Sequence, residues 1–276
     1  MHEITLRTVC NIDIIYPAHS GKRLTEVYAM EIQRKIYQHL LRWKEETNGK
    51  KALLIEGARR VGKSTIAEKF AKEQYKSYIL VDFNLASRNV RDNFENLNQL
   101  DVFFQNLSLE YNVRLYPRES LIIFDEIQKF PRAREAIKYL VSDGRYDYIE
   151  TGSLISIKEN VHTITIPSEE RKLKMYPVDF EEFLWAMGEE LLAEHIRSCC
   201  KEGKAPEQKT HAKAMRLFRE YMLVGGMPQS IVSYIEGFPL LQSSEQSCFR
   251  KACPRSMTGV LPGSPYTTAD LISHFH

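Results

Sequence analysis

This chain has few cysteines, almost no net charge and no long apolar run. Five cysteines among 276 residues do not make a disulfide framework, so a packed core has to hold the fold. A formal net charge of +2 gives no bulk attraction to nucleic acid or to an acidic membrane surface. No apolar stretch approaches the roughly 18 residues that a membrane-spanning helix requires. The first residues lack a signal-peptide core, because Glu3, Arg7, Asn11 and Asp13 interrupt their apolar neighbours. The expected location is therefore cytoplasmic. What the chain does have is 43% hydrophobic residues, enough for one large domain or two small ones.

One stretch organises the rest. Gly57-Ala58-Arg59-Arg60-Val61-Gly62-Lys63-Ser64 fits the phosphate-binding template G-x-x-x-x-G-K-[ST] at every fixed position. The apolar run Ala52-Leu53-Leu54-Ile55 leads in, and Thr65 to Phe70 reads as a helix leading out. That is the strand–loop–helix setting the motif requires. Glycines let the backbone curl until its N–H groups face an anion, at the positive end of the helix dipole. In this setting Lys63 would reach the β- and γ-phosphates of ATP, and the Ser64 hydroxyl would ligate Mg²⁺.

A second motif follows. Leu121-Ile122-Ile123-Phe124 carries Asp125 and Glu126 at its end. In an open α/β sheet ligands bind beyond the C-terminal ends of the strands. An Asp there can hold Mg²⁺, and a neighbouring Glu can polarise an attacking water. A third candidate closes the strand expected at Tyr146–Thr151, which ends in Gly152-Ser153. Thr151 or Ser153 could sense a γ-phosphate there, if this strand is inserted between the other two.

The remaining elements follow from periodicity. A helix is expected over Glu31–Thr47, with Ile32, Ile36, Leu40 and Trp43 inward and Asn48-Gly49 as its stop. Tyr78–Phe83 reads as a buried strand and Leu97–Tyr111 as a helix. Pro131 opens a helix that ends near Gly144. Short strands are expected at 161–166 and 172–176. Asp179 and Glu182 have capping-box spacing at the start of a helix with Phe180, Phe183, Leu184 and Met187 inward. Three further helices are expected at 189–201, 207–223 and 228–236.

Several of these segments resemble a family of prokaryotic AAA-type ATP-binding proteins. They are Glu56–Ser64, Phe124-Asp125-Glu126-Ile127-Gln128, Glu150–Ser153, Tyr176–Phe183 and Gly225-Gly226-Met227-Pro228. The resemblance covers roughly Glu31 to Gly237. It implies an α/β fold: a three-layer αβα P-loop NTPase core with a mainly parallel sheet, followed by a small helical region. It makes Gly57, Ala58, Arg59, Arg60, Val61, Gly62, Lys63, Ser64 and Thr65 the Walker A loop. Asp125 and Glu126 become the Walker B pair, and Thr151 to Ser153 the sensor-1 region. Arg171 falls where the family often has an arginine that acts as a finger or sensor. ATP and Mg²⁺ are the implied ligands. A homo-oligomer is also implied, because a neighbour's arginine often completes each such site. A protein or nucleic-acid effector would follow from the family alone. In the family a C-terminal domain of nuclease-like fold follows the ATPase domain.

The expected layout is an N-terminal extension at 1–29, an ATPase core at 30–176, a helical region at 177–237 and an atypical tail at 238–276. The tail holds four of the eleven prolines, few charges and no periodicity. A frameshift or truncation is the simplest expectation for it. Cys248, Cys253, His274 and His276 fit no standard zinc spacing, and His195, Cys199 and Cys200 read as packing or surface residues. Three functions compete on these motifs: ATP hydrolysis, a nucleotide-dependent binding switch with little turnover, and a small-molecule kinase. The Asp-Glu strand end argues against the kinase, which must exclude water rather than activate it.

Overall fold

The computed structural model describes residues 32–95, 97–153 and 168–237. The expectations for 1–29, 161–166 and 238–276 lie outside those residues, as does the set Cys248, Cys253, His274 and His276.

The first half alternates helix and strand. It runs α1 (Ile36–Thr47), β1 (Ala52–Gly57), α2 (Lys63–Gln74), β2 (Ser77–Asp82), α3 (Arg88–Asn93), α4 (Leu100–Tyr111) and β3 (Ser120–Asp125). A short 3₁₀ turn at Ile127–Lys129 leads to α5 (Pro131–Asp143), β4 (Asp147–Ser153) and β5 (Glu170–Met175). Four helices complete the described chain: α6 (Phe180–Ala186), α7 (Glu190–Glu202), α8 (Gln208–Val224) and α9 (Pro228–Ile235).

The five strands form one sheet in the order β2-β3-β4-β1-β5, with every pairing parallel. Parallel neighbours need crossovers, and the helices supply them while covering both faces. Alternation along β1 sends Leu53 and Ile55 to one face and Ala52 and Leu54 to the other. The first face packs on Ile36, Leu40 and Trp43 of α1 and on Ile66, Ala67 and Phe70 of α2. The second packs on α3, α4 and α5 through Val90, Phe103, Leu107, Ile137 and Leu140. The result is a three-layer αβα arrangement. All six residues of β1 and of β3 are buried, as their near-continuous apolar runs require, and all seven of the more polar β4 are buried between them.

Helices α6 to α9 gather a separate apolar core around Phe180, Phe183, Ile196, Leu217 and Phe218. The expected capping box is present. The Glu182 N–H donates to Asp179 Oδ1 at 2.9 Å, and the Asp179 N–H donates to Glu182 Oε2 at 3.2 Å. The Val178 N–H donates to the Gly226 carbonyl at 2.8 Å and Tyr221 Oη donates to the Val178 carbonyl at 3.0 Å. These two bonds pin the Gly-Gly-Met-Pro turn against the start of α6.

Four expectations are corrected. Helix α1 begins at Ile36 rather than Glu31, because the Lys35 N–H is drawn to Glu182 Oε1 at 2.6 Å and Ile32 packs on the helical core. Strand β2 is not fully buried. It is an edge strand, with only Ile79 and Val81 sealed from solvent. Strand β4 does not close before Gly152-Ser153 but runs through both, since they stay paired with Glu56 and Gly57. Met187 is not in the buried stripe; it caps the C-terminus of α6 and is half-buried.

One buried group has a measurable consequence. Glu150 on β4 is fully buried beside Glu170, whose carboxylate takes both Nε and Nη2 of Arg134 at 3.0 Å. Burial, reinforced by the Glu170 charge, pushes the Glu150 carboxyl well above its ordinary value, and Arg134 only partly opposes this. The folded state then keeps a proton that the unfolded chain releases above about pH 4.5. Stability is therefore lost as pH rises above that value. Glu150→Gln should remove the loss, raising the melting temperature by a few degrees at neutral pH. The gap from wild type should widen as pH rises above about 4.5. Parallel melting curves across that range would show that Glu150 is charged in the fold.

Candidate functional site

The loop between β1 and α2 lies beyond the C-terminal ends of the strands, where a parallel sheet presents its ligand site. Two glycines shape it. A Cβ on Gly57 would stand 2.2 Å from the Met175 carbonyl oxygen, so only glycine lets β1 run this close to β5. Gly62 sits at φ +93°, in left-handed territory that costs other residues dearly. Arg60 is also left-handed, at φ +63°. The chain then enters α2 at Lys63, whose first-turn N–H groups have no partners within the helix. Ala58, Arg59 and Arg60 are exposed, Val61 is buried, and Thr65 is exposed on the first turn.

Lys63 is 5% exposed, and its Nζ donates to the Ala58 carbonyl at 2.7 Å and the Gly57 carbonyl at 3.3 Å. Burial pushes its ammonium below the ordinary value. The charges of Glu126 and Asp125 pull it back up, and Arg59 lowers it. The two carboxylates of the second motif are therefore near enough for their charge to act on this lysine.

The acidic pair and two hydroxyls form one hydrogen-bonded chain. Ser64 Oγ donates to Asp125 Oδ1 at 2.7 Å. Thr151 Oγ1 donates to the same oxygen and accepts the Glu126 N–H at 3.3 Å. Register explains the meeting. Strand β4 lies between β1 and β3, with Thr151 level with Ile55, so its hydroxyl reaches the end of β3. Glu126 leaves β3 in a left-handed conformation, φ +54° and ψ +45°, which is strained for a residue with a side chain. Gln128 Nε2 donates to its Oε2.

The donor set fits Mg²⁺. Ser64 and Asp125 present two hard oxygens to one point, and Mg²⁺ takes few protein ligands, completing its octahedron with water and phosphate oxygens. Among the described residues no group of three or more His, Cys, Asp or Glu side chains could hold a metal without such help.

Two residues among those expected at the site stand apart. Ser153 aligns with Gly57 at the strand end, but Thr151 is the hydroxyl that reaches Asp125. Arg171 is not brought to the loop of its own chain. It is the second residue of β5, level with Leu53, four residues before Gly57, and pairs with Glu46 of α1 at 2.6 Å. At about 3.3 Å per residue that is about 13 Å down the strand from the phosphate end. Because β5 runs parallel to β1, its first residues must lie at the far edge of the sheet.

Two residues with no role assigned from sequence also touch the site. Gln128 holds Glu126, and Arg34 donates to the Val61 carbonyl of the loop at 2.9 Å. Gln128 lies two residues after the Asp-Glu pair, a proximity that could have marked it. Arg34 has no local signal.

No curated protein matches the chain. Among solved structures, a Walker-type ATPase from Pyrococcus abyssi is similar at 16% identity and a TM-score of 0.43, over 82% of this chain and 77% of that one. The Orc1 protein of Aeropyrum pernix, solved in complex with DNA, is similar at 12% identity and a TM-score of 0.39, over 71% and 68%. Nothing about activity or partners follows from likenesses at that level. The family comparison is firmer: residues 49–184, which span the loop, all five strands and the start of α6, match the model described as an AAA domain, and this part of the chain is an AAA-type P-loop domain.

Proposed function

We propose that the chain binds ATP with Mg²⁺ and hydrolyses it slowly. The observation that carries this is the Ser64–Asp125 contact at 2.7 Å beside Lys63. It supports the reading in which Ser64 and Asp125 hold the metal beside a loop that takes the anion. Lys63 would leave the carbonyls of Ala58 and Gly57 for the β- and γ-phosphates. Ser64 and Asp125 would hold Mg²⁺, which supplies charge neutralisation on the phosphate oxygens. Glu126 would orient the water whose oxygen bonds to the γ-phosphorus as the bond to the β–γ bridging oxygen breaks, giving ADP and phosphate. Thr151, bonded to both acids, would register the change. Positioning and electrostatics account for most of such catalysis.

A second reading has its own support. With Gln128 on Glu126 and carbonyls on Lys63, both groups are engaged in internal bonds. Each must be released before turnover, as suits a nucleotide-dependent switch acting on a protein or nucleic-acid partner. A cytoplasmic location, where ATP and Mg²⁺ are found, would suit either activity. Phosphate release by purified protein, measured across protein concentration, separates the readings. Hydrolysis completed by a neighbouring copy predicts specific activity that rises with concentration. A flat value near zero with retained ATP binding would leave the switch.

A further inference from the structure

Arg34 precedes α1 and is far in sequence from everything it touches. Its guanidinium, 8% exposed, makes three bonds to three separate elements. Nη1 donates to the Val61 carbonyl at 2.9 Å, Nη2 to the Tyr176 carbonyl at 2.6 Å, and Nε to Glu182 Oε2 at 3.1 Å. Glu182 is the capping-box residue of α6, and its other oxygen takes the Lys35 N–H. One side chain thus joins the phosphate loop, the end of β5 and the first helix of the helical core.

The bond to Val61 matters most. The Val61–Gly62 peptide is trans, so its C=O and N–H point in opposite directions. Holding the carbonyl back against Arg34 turns the Gly62 N–H to the other side, where a loop of this kind offers its donors to an anion. Glycine at position 62 has little rotational restraint of its own. The space beside it is bounded by Arg34, Met175 and Pro228, since a Cβ there would lie 4.0 Å from Nη1, 3.7 Å from Met175 Cε and 3.8 Å from Pro228 Cγ. The Arg34 charge is compensated by Glu182 at 3.1 Å, and its three bonds are all to the protein. A planar fork suits this task and a lysine does not, because a point charge cannot serve three fixed acceptors at once.

We propose that Arg34 is a positioning residue for nucleotide binding: it fixes the Val61–Gly62 peptide so that the Gly62 N–H faces the phosphates, and it anchors that peptide to the helical core through Glu182. This rests on reading the loop as an ATP cradle. Calorimetric titration of Mg–ATP into the full chain tests it, at a temperature well below the melting point of each variant. Arg34→Met should weaken affinity on the order of tenfold to a hundredfold, the cost of losing hydrogen bonds from a charged donor. Arg34→Lys should recover little of it. Glu182→Gln, with its one oxygen toward Asp179 and Arg34, keeps the cap but reduces the Arg34 ion pair to a neutral hydrogen bond and loses the Lys35 N–H, and should weaken affinity several-fold. Nucleotide-induced protection of residues 58–64 from hydrogen exchange should shrink in Arg34→Met, which a role in stability alone would not produce. A folded Arg34→Met that binds within about twofold of wild type and keeps that protection overturns the proposal. If Arg34→Met does not fold, unchanged affinity in Glu182→Gln overturns it. A wild type that fails to bind Mg–ATP would instead sink the nucleotide reading itself.

Discussion

Lys63→Ala should weaken ATP binding on the order of a hundredfold to a thousandfold, from the loss of two charge-assisted phosphate contacts. The side chain is well placed for this loss to be specific. It is buried, it starts α2, and its ammonium lies among carbonyls and the Asp125–Glu126 pair. No neighbour can substitute for it, since Arg59 and Arg60 are on the exposed side of the loop. The fold should survive, because the two carbonyls Lys63 bonds lie where β1 runs out into the loop and neither is an apolar core partner. Titration with a fluorescent ATP analogue, beside a melting curve for each protein, gives the result. Wild-type affinity in a folded Lys63→Ala protein would mean the loop is not the ATP site.

Glu126→Gln should separate binding from turnover. Expected is a fall in phosphate release on the order of a hundredfold to ten-thousandfold, the range for removing a general base, with ATP affinity nearly unchanged. Glutamine keeps the size of the side chain and can still meet Gln128, and the backbone N–H bond to Thr151 is untouched. Asp125 and Ser64, the pair proposed to hold Mg²⁺, are also left in place. The variant should therefore trap the ATP-bound state. Turnover persisting in Glu126→Gln would assign water orientation to another group and leave Glu126 a structural role. A parallel loss of affinity would mean that its charge, rather than its basicity, is what the site uses.

The fold was legible where chemistry and packing are local. The loop–helix transition needs glycine, lysine and serine at fixed spacing. Short apolar runs such as Leu121–Phe124 have the pattern of strands buried on both faces. The capping box of α6 announced itself by Asp179 and Glu182 alone. What escaped depends on residues far apart. Arg34 meets a partner 148 positions away, and no window of sequence contains both. The same contact with Glu182 accompanies the late start of α1, which leaves residues 32–34 outside the helix that their periodicity suggests. Edge position is likewise a property of the whole sheet: Tyr78–Asp82 has the composition of a central strand but has one neighbour. The position of Arg171 follows from strand direction, which sequence near it does not encode.

The left-handed backbone at Glu126 sets folding against chemistry at a single residue. Glycine, or to a lesser degree asparagine, would take that conformation with less strain, on the order of 1 kcal/mol. Selection for heat tolerance alone would push this position away from an acid. A library enriched only for thermal survival should therefore accumulate proteins that melt later and have lost their acid at 126, while glutamate would return once growth depended on hydrolysis.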